Sequence, residues 1–175
     1  MPYYLKHPIH IAPYDPQWPP LYEQEKQRLQ AALGSVLLAI EHIGSTAVPG
    51  LEAKPIIDML AGVSHLEDLS EYVPALQRLG YEDARINPVF QRRLFCIGGY
   101  NEGSHHLHVV VYGSDPWLLP LRFRDYLRTH TDARTQYGEL KQQLARRHER
   151  DLDGYSEGKG PFIEAILAAA QAPVG

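Results

Sequence analysis

A single cysteine among 175 residues, Cys96, excludes an intrachain disulfide and any zinc site built from several thiolates. A stapled secreted scaffold and a zinc finger are thereby removed, and a reducing, cytoplasmic compartment is the expectation. Apolar residues never accumulate into a long run: the stretch Ala165 to Ala170 falls far short of the roughly 20 residues that cross a bilayer. The first residues carry no basic-then-apolar export pattern, so no membrane association is expected. A Gly-x-x-x-x-Gly-Lys-Ser/Thr phosphate loop is also missing, which makes a phosphoryl transfer built on that loop a poor reading. Nor is there a strong excess of charge: 17 Lys and Arg stand against 21 Asp and Glu, a formal net of −4 that does not suit a dedicated DNA-binding protein. What is present is an ordinary globular composition, 44% hydrophobic and 22% charged, long enough for one domain with a sizeable core.

Residues 1–12 hold several histidine and proline interruptions and no period, and read as an N-terminal tail that docks late or not at all. From residue 13 to 175 the pattern is that of a single α+β domain. Pro20 sits in the first turn of a helix that buries Leu21, Tyr22, Leu29 and Leu33 and stops at Gly34. Strands are expected at Val36 to Ile43 and Pro55 to Val63, then a helix from Ser64 to Leu79. Short strands follow at Tyr81 to Ile86 and Arg93 to Ile97 around an Asn87-Pro88 turn, and another at His106 to Tyr112. A helical section covers about 116–172, with helices at Trp117 to Arg128, Asp132 to Asp151 and Tyr155 to Ala172. Four or five mostly antiparallel strands with flanking helices result.

The informative stretch runs from Glu41 to Leu60. A strand ends in Gly44-Ser45, a small-residue loop Thr46-Ala-Val-Pro-Gly50 follows, and Lys54 precedes a second strand whose aliphatic run is interrupted by Asp58. An ionised carboxylate in an apolar strand is unfavourable unless it is paired, hydrogen-bonded or bound to metal. Strand alternation puts Asp58 on one face with Ile56 and Leu60. On the later strand His106 and His108 share a face by the same period, so Asp58, His106 and His108 form a plausible divalent-metal set. Glu41 or Glu52 is a candidate for a further oxygen ligand. His42 lies on the opposite side of its strand from Glu41 and Ile43, so only one of these sets faces the site. Lys54 either meets a phosphate as a point charge or pairs with Asp58.

These residues resemble the nucleotidyltransferase superfamily of the polymerase-beta type, whose signature is an apolar residue, Gly, Gly or Ser, a loop, and an acid on the next strand. More narrowly, His42-Ile-Gly-Ser-Thr-Ala-Val-Pro-Gly-Leu51 with Ala53-Lys-Pro-Ile-Ile-Asp58 resembles the GrpB family, a branch sometimes labelled a dephospho-CoA kinase accessory domain. Pro13-Tyr-Asp-Pro-Gln-Trp18, His105-His-Leu-His-Val-Val110, Phe123-Arg-Asp-Tyr-Leu-Arg128 and Phe162-Ile-Glu-Ala-Ile-Leu167 carry the same resemblance, which spans roughly residues 10–170. It implies a nucleotidyltransferase-like mixed or antiparallel sheet and transfer of a nucleoside monophosphate from a triphosphate to a small-molecule or protein acceptor. In the reading that follows Gly44, Ser45 and Thr46 cradle phosphate, Lys54 or Arg92 neutralises it, and Asp58 and Lys54 are catalytic; the superfamily's later acid is replaced here by His106 and His108, which with Asp58 are the candidates to hold Mg2+ or Mn2+. The superfamily's acid-x-acid pair would need a carboxylate at position 60, which is Leu60. Imidazole ligands also shift metal preference toward manganese, zinc or nickel.

Two alternatives stand beside that reading. The fold has lost its chemistry and binds a nucleotide, coenzyme or protein partner, with Leu60 as the trace of the loss. Otherwise the helical section binds RNA or DNA, since Pro116 to Arg150 holds eight basic and four acidic residues. Spaced arginines on helices are more often solvated faces, which makes nucleic acid the weaker partner. Trp18, Trp117, Tyr126, Tyr137 and Tyr155 read as packing residues.

Overall fold

The computed structural model describes residues 5–87, 92–100 and 102–171. Residues 1–4, Pro88 of the Asn87-Pro88 turn and Ala172 at the end of the expected last helix lie outside them. The helix α1 (Trp18–Leu33) has proline in its first turn and ends at Gly34, whose φ of 53° is a left-handed stop. Trp18, Tyr22, Glu25, Leu29 and Leu33 form its buried face. Five strands follow in one mixed sheet: β1 (Ala39–Ile43), β2 (Ile57–Val63), β3 (Glu82–Asn87), β4 (Arg92–Ile97) and β5 (His105–Val111), with spatial order β1-β2-β5-β4-β3. Three of the pairings are antiparallel, while β2 and β5 run parallel at the centre. The short helix α2 (Val73–Arg78) lies between β2 and β3, and α3 (Asp115–Thr129), α4 (Thr131–His148), α5 (Leu152–Glu157) and α6 (Gly160–Gln171) complete the chain.

Alternation divides the sheet cleanly. Ile40, Ile57, Met59, Ala61, Val63, Phe95, Leu107 and Val109 face α1 and α2 in the main core. The other face carries Ile43, Leu60 and Val110, which pack on Trp117 of α3, and at its open end Asp58, His106 and His108. The α+β class and the flanking helices agree with the expectation.

Several boundaries move for local reasons. Residues 34–36 form a 3-10 turn closed by Leu37 N–H on the Gly34 carbonyl, so β1 starts after Val36. Pro55 has no N–H to give the ladder, and Ile56 N–H turns back to the Lys54 carbonyl at 2.8 Å, which delays β2 to Ile57. The helix expected from Ser64 to Leu79 is a 3-10 stretch (Glu67–Tyr72) and then α2, because Pro74 fits only a first turn. The last expected helix is two, split at 158–159. At Gly158 a Cβ would sit 2.4 Å from Leu144 Cδ2, and Asp151 caps α5 by accepting Gly154 N–H at 3.1 Å.

The described part of the N-terminal segment, expected as a tail that docks late or not at all, is docked in the structure. Leu5 and Ile9 are buried with Leu144, Ala145, Leu152 and Tyr155, and their N–H groups donate to the carbonyls of Arg150 and Glu149. Ala12 then bridges Ala53 beside the site loop. Apolar burial of Leu5 and Ile9, rather than any period, fixes the segment. Ile9→Ala is expected to lower unfolding free energy by about 2 kcal/mol, near the low end for a buried Ile→Ala. Urea unfolding checks this, and an unchanged midpoint would mean that the segment adds nothing to the fold.

Candidate functional site

The site begins where β1 ends. Gly44 adopts φ 70°, and a Cβ there would lie 2.6 Å from Oδ2 of Asp58, so only glycine lets the loop backbone pass against that carboxylate. A 3-10 turn (Ser45–Ala47) follows. Thr46 is buried, donates its hydroxyl to the Ile56 carbonyl at 3.2 Å and meets Nε2 of His42 at 3.0 Å. Its hydroxyl therefore latches the loop to the start of β2, although the residue borders the cavity.

The parallel register sets Asp58 beside His106 and Leu60 beside His108. Oδ1 of Asp58 lies 3.1 Å from Nδ1 of His106 and 3.4 Å from Nε2 of His108. Burial pushes the Asp58 carboxyl up, but the hydrogen bonds from the two imidazoles outweigh it and hold the group well below the ordinary carboxylate range. Burial opposes the charge on His106, yet the bonds to Asp58 and Cys96 prevail and raise it to about 9. For His108 burial prevails and lowers it. Its Nδ1 is buried with no hydrogen-bond partner. The three side chains offer ligand atoms within 4.8 Å of one another.

The choice between His42 and its neighbours is settled by the sheet. His42 lies on the α1 face, stacked on Tyr22 at 4.7 Å, and burial lowers it to about 4. Glu41 shares the Asp58 face but is tied to Arg124 at 2.8 Å. Glu52 accepts from Gln142 at 2.8 Å, and its carbonyl accepts from Lys141. Neither acid joins the Asp58 cluster, because each already answers a cation or amide from the helical section. Arg92 does reach the site, although β5 separates its strand from β2.

Gly44, Ser45, Lys54, Asp58, Arg92, His106 and His108 all line one cavity of about 220 Å³. Its far wall is helical and comes from residues that the sequence reading did not place at the site: Tyr137 and Lys141 of α4, Tyr155 of α5, and Lys159 in the break before α6. Burial raises both phenols, keeping them neutral. Tyr137 and Tyr155 are buried as expected, yet their rings also bound the cavity. A signal existed for Lys141, which follows Tyr137 by four and precedes Leu144 by three on a buried helix face. Within the basic segment Arg124 and Lys141 are themselves buried, so its charge excess is partly internal.

The family model described as GrpB protein matches residues 8–169. The chain belongs to the GrpB family. The crystal structure of a GrpB protein from Enterococcus faecalis superposes with a TM-score of 0.83 at 37% identity, covering 92% of this chain and 96% of that one. Two UPF0157 proteins are also similar: PA4798 of Pseudomonas aeruginosa, 42% identical over 94% of this chain and 68% of its own length, and YqkA of Bacillus subtilis, 38% identical over 92% and 47%. The chain thus spans about half of YqkA and about two thirds of PA4798. Among the described residues no helix is long and apolar enough to cross a membrane.

Burial, reinforced by Lys159, lowers Lys141 to about 7 from 10.5. The unfolded chain then binds a proton that the folded one lacks, so this lysine makes stability rise with pH between about 7 and 10 and contributes no further change below about 7, where both states are protonated. The melting temperature of Lys141→Met relative to the parent should move in the variant's favour as pH is lowered across that window. A difference independent of pH would refute the depressed titration.

Proposed function

We propose that this GrpB chain is a metal-dependent nucleotidyltransferase that moves a nucleoside monophosphate from a nucleoside triphosphate to a small-molecule or protein acceptor in the cytoplasm. The observation that carries the reading is convergence: the Gly44-Ser45 turn, the Asp58, His106 and His108 cluster, Lys54 and Arg92 all open on one cavity. An acceptor oxygen or nitrogen attacks the α-phosphorus, the bond to the α,β-bridging oxygen breaks, and pyrophosphate leaves. In this reading the Gly44 and Ser45 backbone receives phosphate oxygens, while Lys54 and Arg92 neutralise the chain and its leaving group. Asp58, held ionised, orients the reacting end.

The residues present fit a divalent ion. A carboxylate already shared by two imidazoles, beside a buried His108 Nδ1 with no partner, is a donor set with capacity left over. Asp58, His106 and His108 would hold Mn2+, Zn2+ or Ni2+ better than Mg2+, which prefers oxygen alone. Such an ion neutralises phosphate charge and aligns attacking and leaving oxygens.

A second reading rests on Leu60. It occupies the place of a second acid and is buried with Ile43, Val110 and Trp117, so this chain could bind nucleotide or coenzyme without turnover. Nucleic acid is the weakest partner, because Arg124 is buried against Glu41 and Arg128, though exposed, is committed to the Ala47 carbonyl.

Asp58→Asn, checked for folding by circular dichroism, should lower transfer of label from an α-phosphate-labelled triphosphate about a hundredfold or more, the scale on which loss of one electrostatic group acts in a transfer site. Parental transfer by the variant would overturn the mechanism. Triphosphate binding without pyrophosphate release under Mg2+, Mn2+, Zn2+ or Ni2+ would favour the second reading.

A further inference from the structure

We propose that Lys141 and Lys159, with Lys54, form a metal-independent subsite for a condensed phosphate chain. This deepens the reading of the cavity as a phosphate site and rests on that much of it, but it does not require turnover. The three lysines come from separate parts of the chain: the loop before β2, the buried face of α4, and the break between α5 and α6. All three line the same cavity. Nζ of Lys159 lies 4.5 Å, and Nζ of Lys54 5.5 Å, from the centroid of one ring, Tyr155. Nζ of Lys141 lies 5.0 Å from the Tyr137 ring and donates to the Glu52 carbonyl.

Two ammonium groups over one ring repel each other, and a ring quadrupole offsets only part of that. Among the described residues neither Lys141 nor Lys159 has a carboxylate within ion-pair distance. The acid lining the cavity is Asp58, and its carboxylate already answers two imidazoles. Burial, then repulsion from Lys159, lowers Lys141 to about 7, and burial, then repulsion from Lys54, lowers Lys159 to about 8; the weaker pull of Glu52 on the first and of Asp58 on the second does not restore either. An anion entering the cavity would relieve both. Compact ammonium groups arriving from several directions suit a chain of tetrahedral phosphoryl groups, whereas a planar carboxylate is met best by a guanidinium fork. A condensed phosphate also delivers several charges within the length of a small cavity, which a single anion does not.

The test is calorimetric titration of the whole chain with inorganic tripolyphosphate, pyrophosphate and orthophosphate in the presence of EDTA. Tripolyphosphate should bind tightest and orthophosphate weakest. Lys159→Gln and Lys141→Gln should each weaken tripolyphosphate about tenfold or more, the range for removing a charged hydrogen bond. Asp58→Asn, which removes negative charge from the cavity, should bind at least as tightly as the parent. The proposal is overturned if nothing binds in EDTA, if the three phosphates bind alike, or if Lys159→Gln binds as the parent does. Should Lys141→Gln fail to fold, Lys159→Gln decides, because Lys159 is only partly buried and outside the helices. Binding in EDTA without nucleotidyl transfer would leave this subsite standing and remove the catalytic reading. Transfer without such binding would do the reverse.

Discussion

Keeping one ionised carboxylate, Asp58, on the inner face of a sheet is the constraint around which the rest of this structure is arranged. Removal from water disfavours its charge. Two imidazoles restore it, and they reach it only because β2 and β5 run parallel with Asp58 opposite His106. A shift of the β5 register by one residue would turn both histidines into the α1 core and leave the carboxylate without partners. On its other side Oδ2 lies so close to Gly44 that a side chain there is excluded. The loop, the strand pair and the carboxylate thus specify one another.

The parallel pair also dictates the path of the chain. Parallel neighbours cannot be joined by a tight turn, so the connection from β2 leaves the sheet, forms α2 and the antiparallel β3 and β4, and returns with β5 between β2 and β4. One face of that sheet is closed by α1 and α2 in an apolar core. The opposite face is closed by α3 only beside Leu60 and Val110, which leaves the Asp58 end open. The last helices supply the missing wall. Their placement depends on the docked N-terminal segment, since Leu5 and Ile9 pack on the same residues that hold Tyr155.

Period and turn chemistry made most of this legible in the sequence. The strand carrying Asp58 and the two histidines on one face follow from alternation, the Gly-Ser turn before it from turn chemistry, and the eight residues Gly44, Ser45, Thr46, Lys54, Asp58, Arg92, His106 and His108 all line the cavity. Of these, Thr46 has its hydroxyl committed to the loop. Helix boundaries were less legible where proline or glycine decides between continuation and a new start, as at Pro74 and Gly158. The helical wall was not legible as a wall. Tyr137, Lys141, Tyr155 and Lys159 lie about 80 to 100 residues from Asp58, and no local pattern says which helix face will close on a strand so far away. A lysine in the buried stripe of α4 was the available clue, because such a position is rarely charged without a reason.

The absent acid and the buried lysines are two sides of one charge balance. With a carboxylate at position 60 the cavity would hold more negative charge of its own, and divalent ions would have to carry most of the compensation for an incoming phosphate chain. Leu60 removes that charge, and the site is left with Asp58 facing Lys54, Lys141, Lys159 and Arg92. A cavity of that sign favours an anion before any metal arrives, because the positive charge belongs to the fold itself. Leu60 also seals the sheet against Trp117, which the shorter, hydrated acid would not do. On the proposed reading, replacing the second acid therefore moves part of phosphate neutralisation from metal ions to ammonium groups on the helical wall. The same step makes that wall, and not the strands alone, the determinant of which anions the site accepts.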